Sequence, residues 1–126
     1  MLKKAYRLSE NEIRKVLKFK KPFFSYGWIA NTSQNRIGHN RFAVFFSGKN
    51  TRTSITRNFF RRKFYDLVAI MKDVGKLDIV FVPKKGKTFD KNSKDDIVTF
   101  ENDIKFLLKT IGKAGSEQKT MSSRNF

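Results

Sequence analysis

Phe60, Phe64, Leu67 and Met71 recur at i, i+4, i+7 and i+11, which places them on one face of a helix over residues 54–72. A stripe of that bulk has to be buried against another apolar surface, and the rest of the chain supplies one in pieces. Ser9-Glu10-Asn11-Glu12 is a capping box, a serine N-cap answered by a glutamate three residues on. It opens a helix with Ile13, Val16 and Leu17 inward. Pro22 ends that helix, because the residue before a proline disfavours helical backbone, and Phe19 lies off the stripe. Phe24, Tyr26, Trp28 and Ala30 alternate with Ser25, Gly27 and Ile29, which predicts a strand over residues 24–30. Residues 31–35 read as a turn. Residues 41–47 predict a second strand, and residues 77–82 a third, stopped by Pro83. Ser93 caps a last helix with Ile97, Phe100, Ile104, Leu107, Leu108 and Ile111 inward, ended by Gly112. The expected fold is α+β: a single small domain over residues 1–111, one sheet packed with helices, in the order α-β-β-α-β-α. An extra strand near residues 36–40 stays open, and residues 112–126 are expected to be a disordered basic tail.

The 126 residues include no cysteine and one histidine, His39. Disulfide frameworks, cysteine nucleophiles and zinc sites built on cysteine or paired histidines are excluded. The charge is the strongest functional signal: 28 Lys+Arg against 11 Asp+Glu, net +17. A domain so unbalanced attracts polyanions, while 14 phenylalanines set it apart from a disordered basic tail. The excess is uneven: +6 in residues 1–35, +8 in residues 36–72, +1 in residues 73–111 and +2 in residues 112–126. The polyanion-binding half is the first. No apolar stretch suits a signal peptide, and the longest apolar runs are far too short to span a bilayer, so the expected location is the cytoplasm, with no membrane partner.

Within the basic half, Thr56-Arg57-Asn58-Phe59-Phe60-Arg61-Arg62-Lys63 is the sharpest feature. With Arg57 at zero on a helical wheel, Arg61 falls at about 40°, Tyr65 at about 80°, Asn58 at about 100° and Arg62 at about 140°, beside an apolar stripe at about 310°. One flank is therefore arginine with an amide and a tyrosine. The guanidinium fork pairs with two phosphate oxygens at once. Tyr65 could stack on a base, Asn58 could bond a base edge or a ribose hydroxyl, and the helix N-terminus adds free N–H groups. Phe59, near 200° by the same spacing, either packs under a loop or stands exposed for RNA or a partner. The plain reading of the flank is a solvated arginine face.

These residues carry a resemblance to the protein subunit of bacterial ribonuclease P. Arg7-Leu8-Ser9-Glu10-Asn11-Glu12 is similar to the family's Arg-Leu-initiated first helix after a basic arm. Arg52-Thr53-Ser54-Ile55-Thr56-Arg57-Asn58-Phe59-Phe60-Arg61-Arg62 is similar to its Gly-x-Ala-Val-x-Arg-Asn-Arg-x-Lys-Arg helix, with Arg52 at the glycine and Phe59 at the third basic position. Leu77-Asp78-Ile79-Val80-Phe81-Val82 is similar to its Asp-Ile-Val strand. The resemblance implies that an RNA subunit, using magnesium, cuts the 5′ leader from precursor tRNA. The protein would bind that RNA through Arg57, Asn58, Arg61, Arg62 and Tyr65, with Lys49 and Arg52 ahead of them. It would hold the leader between the first helix and the sheet, with no protein partner required. The family's two cleft aromatics fall on Ile13 and Leu17, so Phe19, Tyr26 and Trp28 join them as cleft candidates.

No catalytic constellation of the chain's own is legible. His39 stands alone in a turn, Asp66 is the one carboxylate between residues 36 and 72, too few for a two-metal site, and Asp95-Asp96 suit a helix N-terminus. Catalysis is expected in the RNA subunit. The rival reading is a non-enzymatic RNA-binding module, such as a ribosomal or ribosome-assembly protein. Arg41-Phe42-Ala43-Val44-Phe45-Phe46 faintly resembles an RNA-recognition strand but lacks its glycine. A major-groove DNA reader ranks last, for want of a preceding short helix and tight turn.

Overall fold

The computed structural model describes residues 3–18, 21–46, 51, 53–73 and 75–124, with side chains as far as residue 113. After a 3₁₀ turn at Lys4–Tyr6 come α1 (Glu10–Lys18), β1 (Lys21–Phe24), β2 (Trp28–Gln34), β3 (Arg41–Val44), α2 (Ser54–Val68), a 3₁₀ turn at Ala69–Met71, β4 (Leu77–Pro83) and α3 (Lys94–Arg124). The strands form one sheet in the order β1-β2-β4-β3. β4 runs antiparallel to β2 and parallel to β3, which makes α2 the crossover that a parallel pair requires. The capping box holds as a pair of bonds. The Ser9 N–H donates to Glu12 Oε1 at 2.7 Å, and the Glu12 N–H to Ser9 Oγ at 3.4 Å.

The α+β class and the helix–sheet layers follow the sequence expectation, but the strands before β3 differ. The alternation over residues 24–30 is interrupted by a turn at residues 25–27, so the expected single strand is a hairpin of β1 and β2. Pro22 lies within β1 rather than at a helix end; β1 is an edge strand, where a missing N–H is tolerated. β2 continues through residues 31–34, expected as a turn, because this central strand buries Asn31 and Thr32 between two partners. The turn falls at residues 35–40 instead of a further strand. Asn35 Oδ1 accepts from the Ile37 N–H at 3.0 Å, and Gly38 sits at φ 95°, a conformation that favours glycine.

One sheet face presents Trp28, Ala30, Phe42, Val44, Ile79 and Phe81 to α2 and α3, which bring Phe60, Phe64, Val68, Phe100, Ile104 and Leu107. On α2 the buried set is Thr56, Phe60, Phe64, Tyr65 and Val68. Leu67 and Met71 are half-buried at its margin, because the tighter 3₁₀ turn takes over after Val68. α3 passes through Gly112, where an end is expected, and runs on to Arg124. One interior glycine costs only about 1 kcal/mol relative to alanine, which does not stop a helix already anchored by Phe100, Ile104, Leu107 and Ile111.

α1 covers the other face, where Leu8, Val16, Ala43 and Val80 form a second small core with Ile13, Leu17 and Val82 packed on it. An ion-pair triad fixes the helix there. Arg41 on β3 donates to both carboxylate oxygens of Asp78 on β4, at 2.8 and 2.7 Å, and to Glu12 Oε2 on α1. The Ser9 N–H, and then the Arg41 guanidinium, hold the Glu12 carboxyl below the usual glutamate range. A carboxylate depressed by folding supplies stability above its ordinary value and loses it as pH falls through the lowered one. Glu12→Gln is therefore expected to flatten the acid-side decline of the urea midpoint. Superimposable midpoint–pH curves for the two proteins would contradict this role.

Candidate nucleic-acid interface

Burial of Phe60, Phe64 and Val68 sets the rotation of α2, and that rotation decides which basic side chains face outward. Asn58, Arg61 and Arg62 are exposed and Arg57 is half-exposed. The helix begins at a side-chain cap, Thr53 Oγ1 accepting from the Thr56 N–H at 3.1 Å. Arg57 donates to Ser54 Oγ at 3.1 Å, which holds its guanidinium beside the first turn. The expected flank is thus assembled for Arg57, Asn58, Arg61 and Arg62. Lys49 and Arg52 lie outside the described residues.

Tyr65 is corrected. It is 8% exposed, its ring packs edge-on against Phe64 at 5.2 Å, and burial pushes its hydroxyl pKa up. No ring face is left for a base. The flank gains Arg7 instead. The N-terminal segment extends the sheet edge beside β3, with Arg7 bridging Phe42 and the Leu8 N–H donating to the Phe42 carbonyl at 2.9 Å. Arg7 and Arg61 both bear on the Tyr65 hydroxyl, and Arg7 Nε is buried without a hydrogen-bond partner. The basic arm is visible in the sequence, but its docking against β3 is a long-range contact that no local pattern shows. Phe59 packs edge-on against Phe60 at 5.2 Å with the Lys63 ammonium over it at 5.5 Å, so it belongs to the core margin.

The second candidate surface lies on the α1 side of the sheet. α1 packs on β4 and β2, while Phe24 on β1 stays 58% exposed. The space between them is a candidate groove: Ile13 and Leu17, both half-buried, stand on its helical side, and the cross-strand set Phe24–Ile29–Val82 lies on its sheet side, with Asn31 and Val80 buried beneath. Asn31 is 4% exposed and its Oδ1 has no hydrogen-bond partner. Trp28 is corrected: it points to the opposite face, fully buried among Phe46, Phe89 and Phe100. Tyr26 is 73% exposed, at the tip of the β1–β2 turn beyond the groove. Phe19 lies outside the described residues. Sequence alone does not single out Phe24, because the turn at residues 25–27 that puts it on the α1 face, opposite Trp28, involves a contact to Asp103, 76 positions away.

Among the described residues, no group of three or more His, Cys, Asp or Glu is placed to hold a metal ion, and no helix is long and apolar enough to cross a membrane. His39 packs at a tilt against Tyr6, with ring centroids 4.5 Å apart, and bonds the Asn40 carbonyl.

A family model described as Ribonuclease P matches residues 2–112. The chain is 31% identical over 72 residues to the Ribonuclease P protein component of Marinobacter nauticus. That stretch is 57% of this chain and 53% of the relative, so the match spans about half the relative's length. The fold is similar to the Staphylococcus aureus RNase P protein, with a TM-score of 0.71 at 20% identity over 86% of this chain and 96% of that one. It is also similar to the RNase P protein from Thermotoga maritima, with a TM-score of 0.63 at 20% identity over 82% and 96% of the two chains.

Proposed function

The chain belongs to the ribonuclease P family, and from that membership we propose that it is the protein subunit of the ribonucleoprotein that matures the 5′ end of tRNA. It binds the catalytic RNA subunit through Arg57, Asn58, Arg61 and Arg62 on α2, with Arg7 beside them. It holds the single-stranded 5′ leader of precursor tRNA in the groove between α1 and the sheet. There Ile13, Leu17, Phe24, Ile29 and Val82 give apolar contact. The observation that carries this reading is the flank itself: one amide and three arginines outward on a helix whose other side is locked in the core.

The hydrolytic chemistry belongs to the RNA in this reading. Among the described residues no group of three or more His, Cys, Asp or Glu is placed to hold a metal ion. The magnesium the reaction needs is assigned to the RNA subunit and substrate. The protein contributes charge and shape: it screens phosphates that would otherwise repel and fixes the leader. The cytoplasm, where precursor tRNA is made, is the matching location. Family membership favours this reading over a ribosomal or assembly protein.

Two measurements test it. RNA recovered with the protein from its own cells is expected to contain a ribonuclease P RNA; ribosomal RNA alone would favour the rival. Binding to that RNA is also expected to be steeply salt-dependent. With roughly 6–10 phosphate contacts, affinity falls on the order of a thousandfold or more between 50 and 200 mM salt. A nearly flat titration would remove the +17 charge from the account.

A further inference from the structure

The β1–β2 turn is built more firmly than a surface loop requires. Ser25 and Gly27 are buried, and the Gly27 N–H donates to Asp103 Oδ2 on α3 at 3.1 Å. The Ser25 N–H and hydroxyl both donate to the Trp28 carbonyl, at 2.9 and 3.4 Å, which closes the turn. A Cβ at Gly27 would sit 3.0 Å from Asp103 Oδ2, so a larger residue would have to push the carboxylate back by a few tenths of an ångström. From the other side, the Lys84 N–H donates to the Gly27 carbonyl at 2.9 Å. Anchored between α3 and the segment after β4, the turn presents two exposed rings, each with an ammonium over it. Lys87 Nζ lies 3.7 Å from the Tyr26 ring centroid, and Lys84 Nζ lies 5.9 Å from that of Phe24. Burial pushes the Asp103 carboxyl up, and the Gly27 N–H beside Tyr26 opposes that shift.

An aromatic ring with a neighbouring cation, repeated along a path, suits single-stranded nucleic acid: bases stack on the rings and the cations meet the phosphates. A duplex keeps its bases stacked on each other and offers a protruding ring nothing to stack on. Phe24 belongs both to the groove floor and to this turn, so a strand leaving the groove meets Tyr26 and Lys87 next. We propose that the β1–β2 tip, Tyr26 with Lys87 and Phe24 with Lys84, is a second single-stranded RNA site that takes leader nucleotides upstream of those in the groove. It rests on the leader-binding reading above and lies apart from the arginine flank.

The test uses the holoenzyme reconstituted with its RNA subunit and two precursor tRNAs, with leaders of about 4 and about 12 nucleotides, bracketing common single-strand site sizes. The readout is the ratio of the two affinities. The wild type is expected to favour the longer leader, and Tyr26→Ala/Lys87→Ala to reduce that preference by about tenfold, the scale of one stacked base. Tyr26→Phe, which keeps the ring, is expected to retain the preference. An unchanged ratio in the double variant, or no preference in the wild type, overturns the tip site while leaving the groove in place. If the protein improves binding of neither precursor, the leader-binding reading itself fails.

Discussion

Arg57→Ala/Arg61→Ala/Arg62→Ala is expected to lose most of its binding to the RNA subunit, at about 1.5–3 kcal/mol for each charge-assisted bond removed. The control is Lys84→Ala/Lys85→Ala/Lys87→Ala, which removes the same charge, so the long-range field falls equally. The two sets differ in geometry. The arginines stand on α2, whose rotation is fixed by Phe60, Phe64 and Val68. The lysines follow β4, beside the β1–β2 turn. A guanidinium fork makes paired bonds only when it is held in register with the phosphate, so the arginine set should dominate RNA-subunit affinity. None of the six is buried, so both variants should keep the fold, which circular dichroism checks. Equal losses would mean a generic polycation and would leave the Arg-Asn helix without a mechanism.

The second large effect is on stability. Arg41→Ala leaves Asp78 without its guanidinium, and the side chains of Arg41 and Asp78 are only 13% and 11% exposed. Removing one member of a buried pair costs about 3–5 kcal/mol. Asp78 keeps one bond, from Asn35 Nδ2 at 2.8 Å, so the lower end of that range is expected. Glu12 loses its tether as well, and α1, the wall of the groove, loosens. A lower urea midpoint at unchanged m-value is the expected result. Arg41→Lys should recover only part of the loss, because an ammonium cannot bond both Asp78 oxygens in parallel and reach Glu12. A midpoint unmoved by Arg41→Ala would show that packing alone seats α1.

How much of this was legible depended on the range of the contact that decides each feature. The capping box at Ser9, the apolar core of α2 and the arginine flank beside it are properties of one helix, and helical spacing alone places them. Trp28 shows where that stops. Alternation assigns it to the same side as Phe24 and Tyr26, but the 25–27 turn resets the register, and one residue of offset exchanges faces. What makes that turn is Asp103, 76 positions away. Tyr65 differs: at the edge of an apolar stripe, its burial depends on how closely the neighbouring elements approach. For Arg41 and Asp78 the sequence does hold a signal, since a carboxylate inside the apolar run of residues 77–82 needs a buried partner. Gly112 does not end α3, because a helix breaker matters less once tertiary contacts hold the helix on one side.

The central claim is that this chain supplies binding and the RNA supplies catalysis. The most direct measurement is cleavage of precursor tRNA at physiological magnesium and moderate salt, with protein alone, RNA subunit alone, and both. The account predicts no cleavage by the protein alone, weak cleavage by the RNA alone, and a marked gain at the same 5′ site when the protein is added. Site-specific cleavage by the protein without the RNA, or an RNA-catalysed rate indifferent to the protein, would contradict it.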